Sequence, residues 1–279
     1  MNQASTFPRE TPLPDLCAGN RSRRWLNRAA QGCFAAIGIG QLLFLTFILA
    51  FYYPTTLRGD WAEWNRKPLI DGFREGDFTG NLFFAAHVIL AAVITAGGLM
   101  QLVPAIRNRV PTFHRWNGRI YMMTAATLAV GGLWLVWGRG TYVTVVGAVG
   151  ISANALAILA FAGLSWRSSR ARRFVQHRRW ALRLFAVVSA VWFMRVGYMA
   201  WAIAAGGAGI GKSMDGPFDF FIAFGNSLVP LAITEAYIQA QARQHELACY
   251  GVAALLVICV LVIAVGSVGA WLMMWSPYL

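Results

Sequence analysis

Charge is scarce in this chain. Asp, Glu, Lys and Arg make up 13% of its 279 residues, about half the share of a soluble domain. Acids number 11 and histidines four, and Lys67 and Lys212 are the two lysines among 24 basic residues. Four cysteines, Cys17, Cys33, Cys249 and Cys259, are too few and too scattered for a disulfide scaffold, and none forms a CxxC pair. The low charge and long apolar runs exclude a disordered chain. They also exclude a soluble nucleic-acid binder, although the net charge of +13 would otherwise raise one. Zinc needs three or four His, Cys or carboxylate ligands, and the arginines around these histidines would repel the cation. No spacing assembles a Ser/His/Asp triad.

What is abundant is apolar sequence: 58% hydrophobic residues and a mean hydropathy of +0.53. A membrane helix needs about 20 apolar residues. Segments of that kind lie at roughly 32–53, 81–103, 119–137, 141–164, 180–205, 218–239 and 247–275. The expected fold is an all-α, polytopic transmembrane bundle of seven spans. Its parts are a basic tail over 1–31, a first helix over 32–53, an outer loop over 54–80, a five-helix core over 81–239, and an inner loop with the last helix over 240–279. The prolines Pro8, Pro12 and Pro14 suggest a disordered arm at the start. The first span is too long for a signal-peptide core, and Phe51-Tyr52-Tyr53 is no cleavage site.

With alternating spans and the N-terminus inside, 17 of the 24 bases fall on the inner side and six on the outer. This positive-inside asymmetry predicts an inner N-terminus and an outer C-terminus, in a bacterial cytoplasmic membrane. Tryptophans near span ends, among them Trp25, Trp61, Trp64, Trp116, Trp137, Trp166, Trp180 and Trp275, look like an interfacial belt. Small residues at Ala148 and Ser152, and at Gly266, Ser267 and Gly269, suit close helix packing.

Gly206, Gly211, Lys212 and Ser213 match the phosphate-loop pattern GxxxxGK[ST]. That chemistry needs a strand before the loop and a helix after it. Here a membrane helix precedes it on the outer side, so a glycine turn is expected and no ATP site.

Polar residues at membrane depth are costly and mark function by default. His87 lies about 9 Å inside the outer end of the second span, and Arg195 about 22 Å from the inner end of the fifth. Both fall in the outer third, where a neutral imidazole and a guanidinium suit an anion or a headgroup, or a haem propionate beside His87 as axial ligand. The alternative is an arginine that snorkels and a histidine bonded to a carbonyl. At the inner edge, His114 heads His114-Arg115-Trp116-Asn117-Gly118-Arg119-Ile120-Tyr121, and His177 heads His177-Arg178-Arg179-Trp180 with Arg183 beyond. Two histidines at one depth on alternate helices suit axial ligation of haem b, with Arg115, Arg119, Arg178 and Arg183 near its propionates. Headgroup anchoring explains the same composition. Glu235 reaches this level and is expected to pair with Arg119 or Arg183.

These residues carry a resemblance. Phe84 to His87, then Gly97-Gly98-Leu99-Met100-Gln101-Leu102-Val103-Pro104, then the His114 to Tyr121 stretch resemble the bacterial membrane proteins grouped as domain of unknown function 2306. The segment from His177 to Arg183 resembles that family's second signature, and Asn226 with Glu235 its last. The resemblance spans roughly residues 81–239 and implies a membrane fold, with no activity attached. A looser likeness is to cytochrome b561-like haem proteins, although the fourth span lacks a histidine opposite His87 and carries Asn154 as its strongly polar residue. Three functions follow: a b-type haem or quinone-linked electron-transfer protein; a small-anion or lipid-binding, transporter-like protein using Arg195, with Glu235, Asn226 and Tyr121 in its polar network; or a structural subunit without chemistry. Expected partners are membrane lipids, a quinone or another membrane subunit, and no nucleic acid.

Overall fold

The computed structural model describes residues 16–67, 71–243 and 245–279, with side chains from residue 21 onward. The described residues are helical or in turns, with no strand. Six helices are long and apolar enough to cross a membrane: Arg21–Arg58, Phe78–Leu102, Pro111–Gly138, Val145–Arg170, Pro217–Arg243 and Glu246–Tyr278. A seventh span is a pair, Phe174–Val188 and Ala190–Ala205, bent by 54°. In chain order these are spans 1 to 7, with the bent pair as span 5. The start of the expected N-terminal arm, residues 1–15, lies outside the described residues. Over 16–31 that tail is helix, continuous with span 1.

Several helices begin before their apolar stretch. Span 3 starts at Pro111 rather than 119, because proline at the first helical position has its φ preset and no N–H to leave unbonded. Span 5 starts at Phe174 rather than 180. Span 4 starts at Val145, capped by the Thr144 hydroxyl, which accepts from the Gly147 N–H at 3.1 Å. The loop over 54–80 carries a short helix, Tyr53–Arg58, and a 3-10 turn, Trp61–Arg66. Span 6 runs unbroken from Pro217 to Arg243 despite Pro230, so little loop separates it from span 7.

Spans 1, 5 and 7 run parallel. Span 7 packs along span 1 and along the second half of span 5. Side chains at Gly40 would meet Ser267 and Trp192, and one at Gly266 would collide with the Val196 carbonyl. Small residues there let the backbones touch, as the spacing in span 7 predicts. In span 4 the close approach is at Gly150, against the Ala223 carbonyl of span 6. Spans 2 and 3 form a hairpin, as do span 4 and the first half of span 5, and span 6 closes against spans 4 and 5. Span 5 bends where it changes neighbours: Ser189 accepts a 2.9 Å hydrogen bond from Gln41 Nε2 of span 1. Large apolar side chains such as Ile39, Leu42, Leu156, Ile258 and Leu261 point outward, as a lipid-facing surface requires. Two expected belt tryptophans are not at the surface. Trp64 and Trp275 are fully buried, and Trp64 Nε1 donates to Thr55 Oγ1 at 3.1 Å.

Candidate functional site

The bundle has two ends. One holds the 2–3, 4–5 and 6–7 connections and most arginines; the other holds the 1–2, 3–4 and 5–6 connections.

At the arginine-rich end, His114 and His177 each occupy the fourth residue of their helix. They lie close enough to interact electrostatically. His177 Nδ1 is 3.0 Å from the Ser165 carbonyl and 3.1 Å from its hydroxyl, so span 4 orients the ring and leaves Nε2 as the other coordinating atom. His114 Nδ1 is buried without a partner, and its carbonyl accepts from Gln101 Nε2 at 2.9 Å. The expected propionate arginines are dispersed. Arg115 bonds Thr112 at 3.1 Å, Arg119 stacks 4.8 Å over Trp116, and Arg178 is exposed. Arg183 is committed to Glu235, its Nε donating to Oε2 at 3.0 Å, while Gln239 donates to Oε1 at 2.8 Å. Of the two partners expected for Glu235, Arg183 is the one it takes.

Much of the Gly97-to-Tyr121 stretch serves packing. Asn117 Nδ2 donates to the Gly97 carbonyl at 2.9 Å. A Cβ at Gly98 would lie 2.9 Å from the Tyr121 ring, and one at Gly118 would lie 3.3 Å from Gln101. Glycines on one helix thus receive polar and aromatic side chains of the other, which locks spans 2 and 3 in register. The Tyr121 hydroxyl is buried without a partner. Asn226 joins Ser227 and Asn154 in a polar bridge between spans 6 and 4, at 2.7 and 2.9 Å from the Ser227 hydroxyl.

His87 and Arg195 are not brought together. The His87 ring faces Gly132 of span 3, and its Nδ1 is buried and unbonded. Arg195 turns toward span 1: its guanidinium lies 5.2 Å over the Phe44 ring and donates to the Val191 carbonyl at 2.9 Å. Arg195 is half-buried and bonded to a carbonyl one turn back.

Arg195 has a neighbour that charge counting treats as an ordinary outer base. Lys67 reaches back from the 1–2 loop into the bundle. Its ammonium donates to the Met274 carbonyl at 2.8 Å and lies 4.5 Å from the Phe47 ring and 4.7 Å from Tyr278. Burial first, and the Arg195 guanidinium second, pull Lys67 down to about 8. Neither cation has a carboxylate partner among the described residues. The surrounding wall is aromatic: Phe44, Phe47, Phe51 and Trp275 pack on one another where spans 1 and 7 turn π-helical, at Ile48–Tyr52 and Trp271–Trp275. Three further buried donors stand unbonded on spans 5 and 7: Trp192 Nε1, Ser267 Oγ and Trp275 Nε1.

Two other anchors at this end are structural. Arg139 is buried and bonds Asp77 at 2.8 Å, Asn81 at 2.6 Å and the Gly72 carbonyl at 3.0 Å. That guanidinium, with the Gly80 N–H, holds the Asp77 carboxyl below the usual carboxylate range. The Gly206-to-Ser213 loop closes on Asp219, whose Oδ2 accepts from the Gly211 and Gly216 N–H groups at 2.7 and 2.9 Å and whose Oδ1 accepts from Tyr198 at 2.7 Å. A carboxylate of the chain itself takes the loop amides.

Residues 84–213 match the model of the family described as "Predicted membrane protein (DUF2306)". The match confirms the resemblance over spans 2 to 5 and ends before Asn226 and Glu235. No curated protein and no solved structure matches the chain. The chain is a multi-pass, all-helical membrane protein.

Proposed function

We propose that this protein binds a small organic anion, a carboxylate with an apolar body, between Arg195 and Lys67. The observation that carries the reading is two cations at one bundle end with aromatic walls and no carboxylate ion-paired to either among the described residues. An unpaired cation at membrane depth is costly, and a bound anion removes most of that cost. The unbonded indole and hydroxyl donors of Trp192, Trp275 and Ser267 add acceptor-seeking groups nearby, and the Phe44, Phe47 and Tyr278 rings favour an apolar ligand body over a bare halide. We place the site in the outer half of a bacterial inner membrane, with the N-terminus inside, on the seventeen-to-six split of bases. The test is thermal stabilisation of the purified protein in neutral detergent by benzoate and hexanoate, with chloride as control. The carboxylates raise the melting temperature of the wild type, chloride does less, and Arg195→Gln abolishes the effect. Equal shifts in wild type and Arg195→Gln overturn the reading.

A second reading, haem b between His114 and His177, draws on the anchored His177 ring and on the nearness of the two histidines. Haem would supply one-electron transfer, and the two Nε2 atoms would hold its iron. The reading is weaker, because Arg183 is already spent on Glu235. A Soret band lost in His177→Ala supports it; colourless protein from haem-replete cells removes it.

A further inference from the structure

The 4–5 hairpin builds a second cationic site at the opposite end. Span 4 ends in a Schellman turn: the Arg173 N–H bonds the Ser168 carbonyl at 2.9 Å and the Arg172 N–H bonds the Ser169 carbonyl at 3.0 Å. The tight reversal sets Arg167 on one helix against Arg173, Arg179 and Arg183 on the next. Together with Leu164 and Trp180 they line a groove of about 580 Å³. No acid is among its lining residues. Glu235 bonds Arg183 and lies close enough to Arg179 to interact with it, and no carboxylate ion-pairs with Arg167, Arg173 or Arg179 among the described residues. The helix that starts at Phe174, next to the groove residue Arg173, has no side-chain cap, and an uncapped helix start favours negative charge.

We propose that this groove binds the phosphate of an anionic phospholipid headgroup. Guanidinium groups match phosphate oxygens through paired N–H donors. The groove starts at Leu164 and Trp180, where span 4 passes from its apolar stretch into its arginines, so a phosphate there lies at headgroup level with its acyl chains along the bundle. A free phosphate or a nucleic acid would have no use for the apolar floor.

The groove arginines other than Arg183 are exposed, so their replacement leaves folding intact. The full-length protein and the double variant Arg173→Gln, Arg179→Gln are compared in neutral detergent by native mass spectrometry and melting temperature. The additives are phosphatidylglycerol, phosphatidylcholine or inorganic phosphate. The expected result is retention of phosphatidylglycerol by the wild type, about tenfold weaker retention by the double variant, equal weak phosphatidylcholine binding by both, and no effect of millimolar phosphate. Equal phosphatidylglycerol binding by wild type and variant overturns the proposal. Displacement of the lipid by millimolar phosphate overturns the assignment to a lipid headgroup.

Discussion

The two ends of the bundle use charge in opposite ways. The arginine-rich end carries many bases, most of them exposed, and a single ion pair among its described residues, Arg183 with Glu235, which is partly exposed. The other end carries fewer bases: Arg58, Arg66 and Lys212 are exposed, but the bundle takes in Arg139, against a carboxylate, an amide and a carbonyl, and Lys67 with Arg195, against an aromatic wall. The number of charges carries the proposed orientation, and their burial carries the proposed anion site.

The sharpest way to break this contrast is to remove one base from each end. Arg139→Ala strips the partner from Asp77 and Asn81 and from the Gly72 carbonyl, and is expected to lower the melting temperature by roughly 10 °C. Arg119→Ala, which loses a stack on exposed Trp116, is expected to change it by about 1 °C. Equal effects would erase the distinction. Next in size is the contact that joins the three parallel spans: Gly266→Val must push against the Val196 backbone and should cost about 2–3 kcal/mol in a detergent unfolding assay. Glu235→Gln removes the partly exposed pair and should cost about 1 kcal/mol. The smallest effect has the opposite sign. Arg172 occupies the left-handed region at φ 56°, where glycine is at ease, so Arg172→Gly is expected to stabilise by about 0.5–1 kcal/mol.

The spans were legible because a bilayer demands long apolar runs, and the parallel meeting of spans 1, 5 and 7 was foreshadowed by the small residues around Gly266. The orientation rule counts bases by side, so Lys67 and Arg139 entered it as two of the six outer bases with nothing to mark their burial. Their burial depends on how the 1–2 and 3–4 connections fold back onto the bundle, which no local pattern encodes. Arg195 stood out because an arginine inside a span is conspicuous. Its partner did not, since depth along a helix leaves the face open: His87 and Arg195 share a level yet face spans 3 and 1. The stretch from Gly97 to Tyr121 looked like chemistry at His114, while most of its residues serve the fit between two helices.

Lys67 supplies the most direct test of the anion site, because its two linked effects run in opposite directions. Its folded-state value near 8 lies below the ordinary 10.5. The unfolded chain therefore holds more protons between those values, and the ligand-free protein should gain stability as pH rises through that window. An anion needs Lys67 protonated, so affinity should fall above pH 8 by up to about tenfold per unit. The decisive measurement is benzoate affinity of the wild type and Lys67→Met from pH 6 to 10. Wild-type affinity that declines above pH 8, with a weaker and flat profile in Lys67→Met, is the predicted result. A wild-type profile that is flat, or that matches the variant, contradicts an anion held between Arg195 and Lys67.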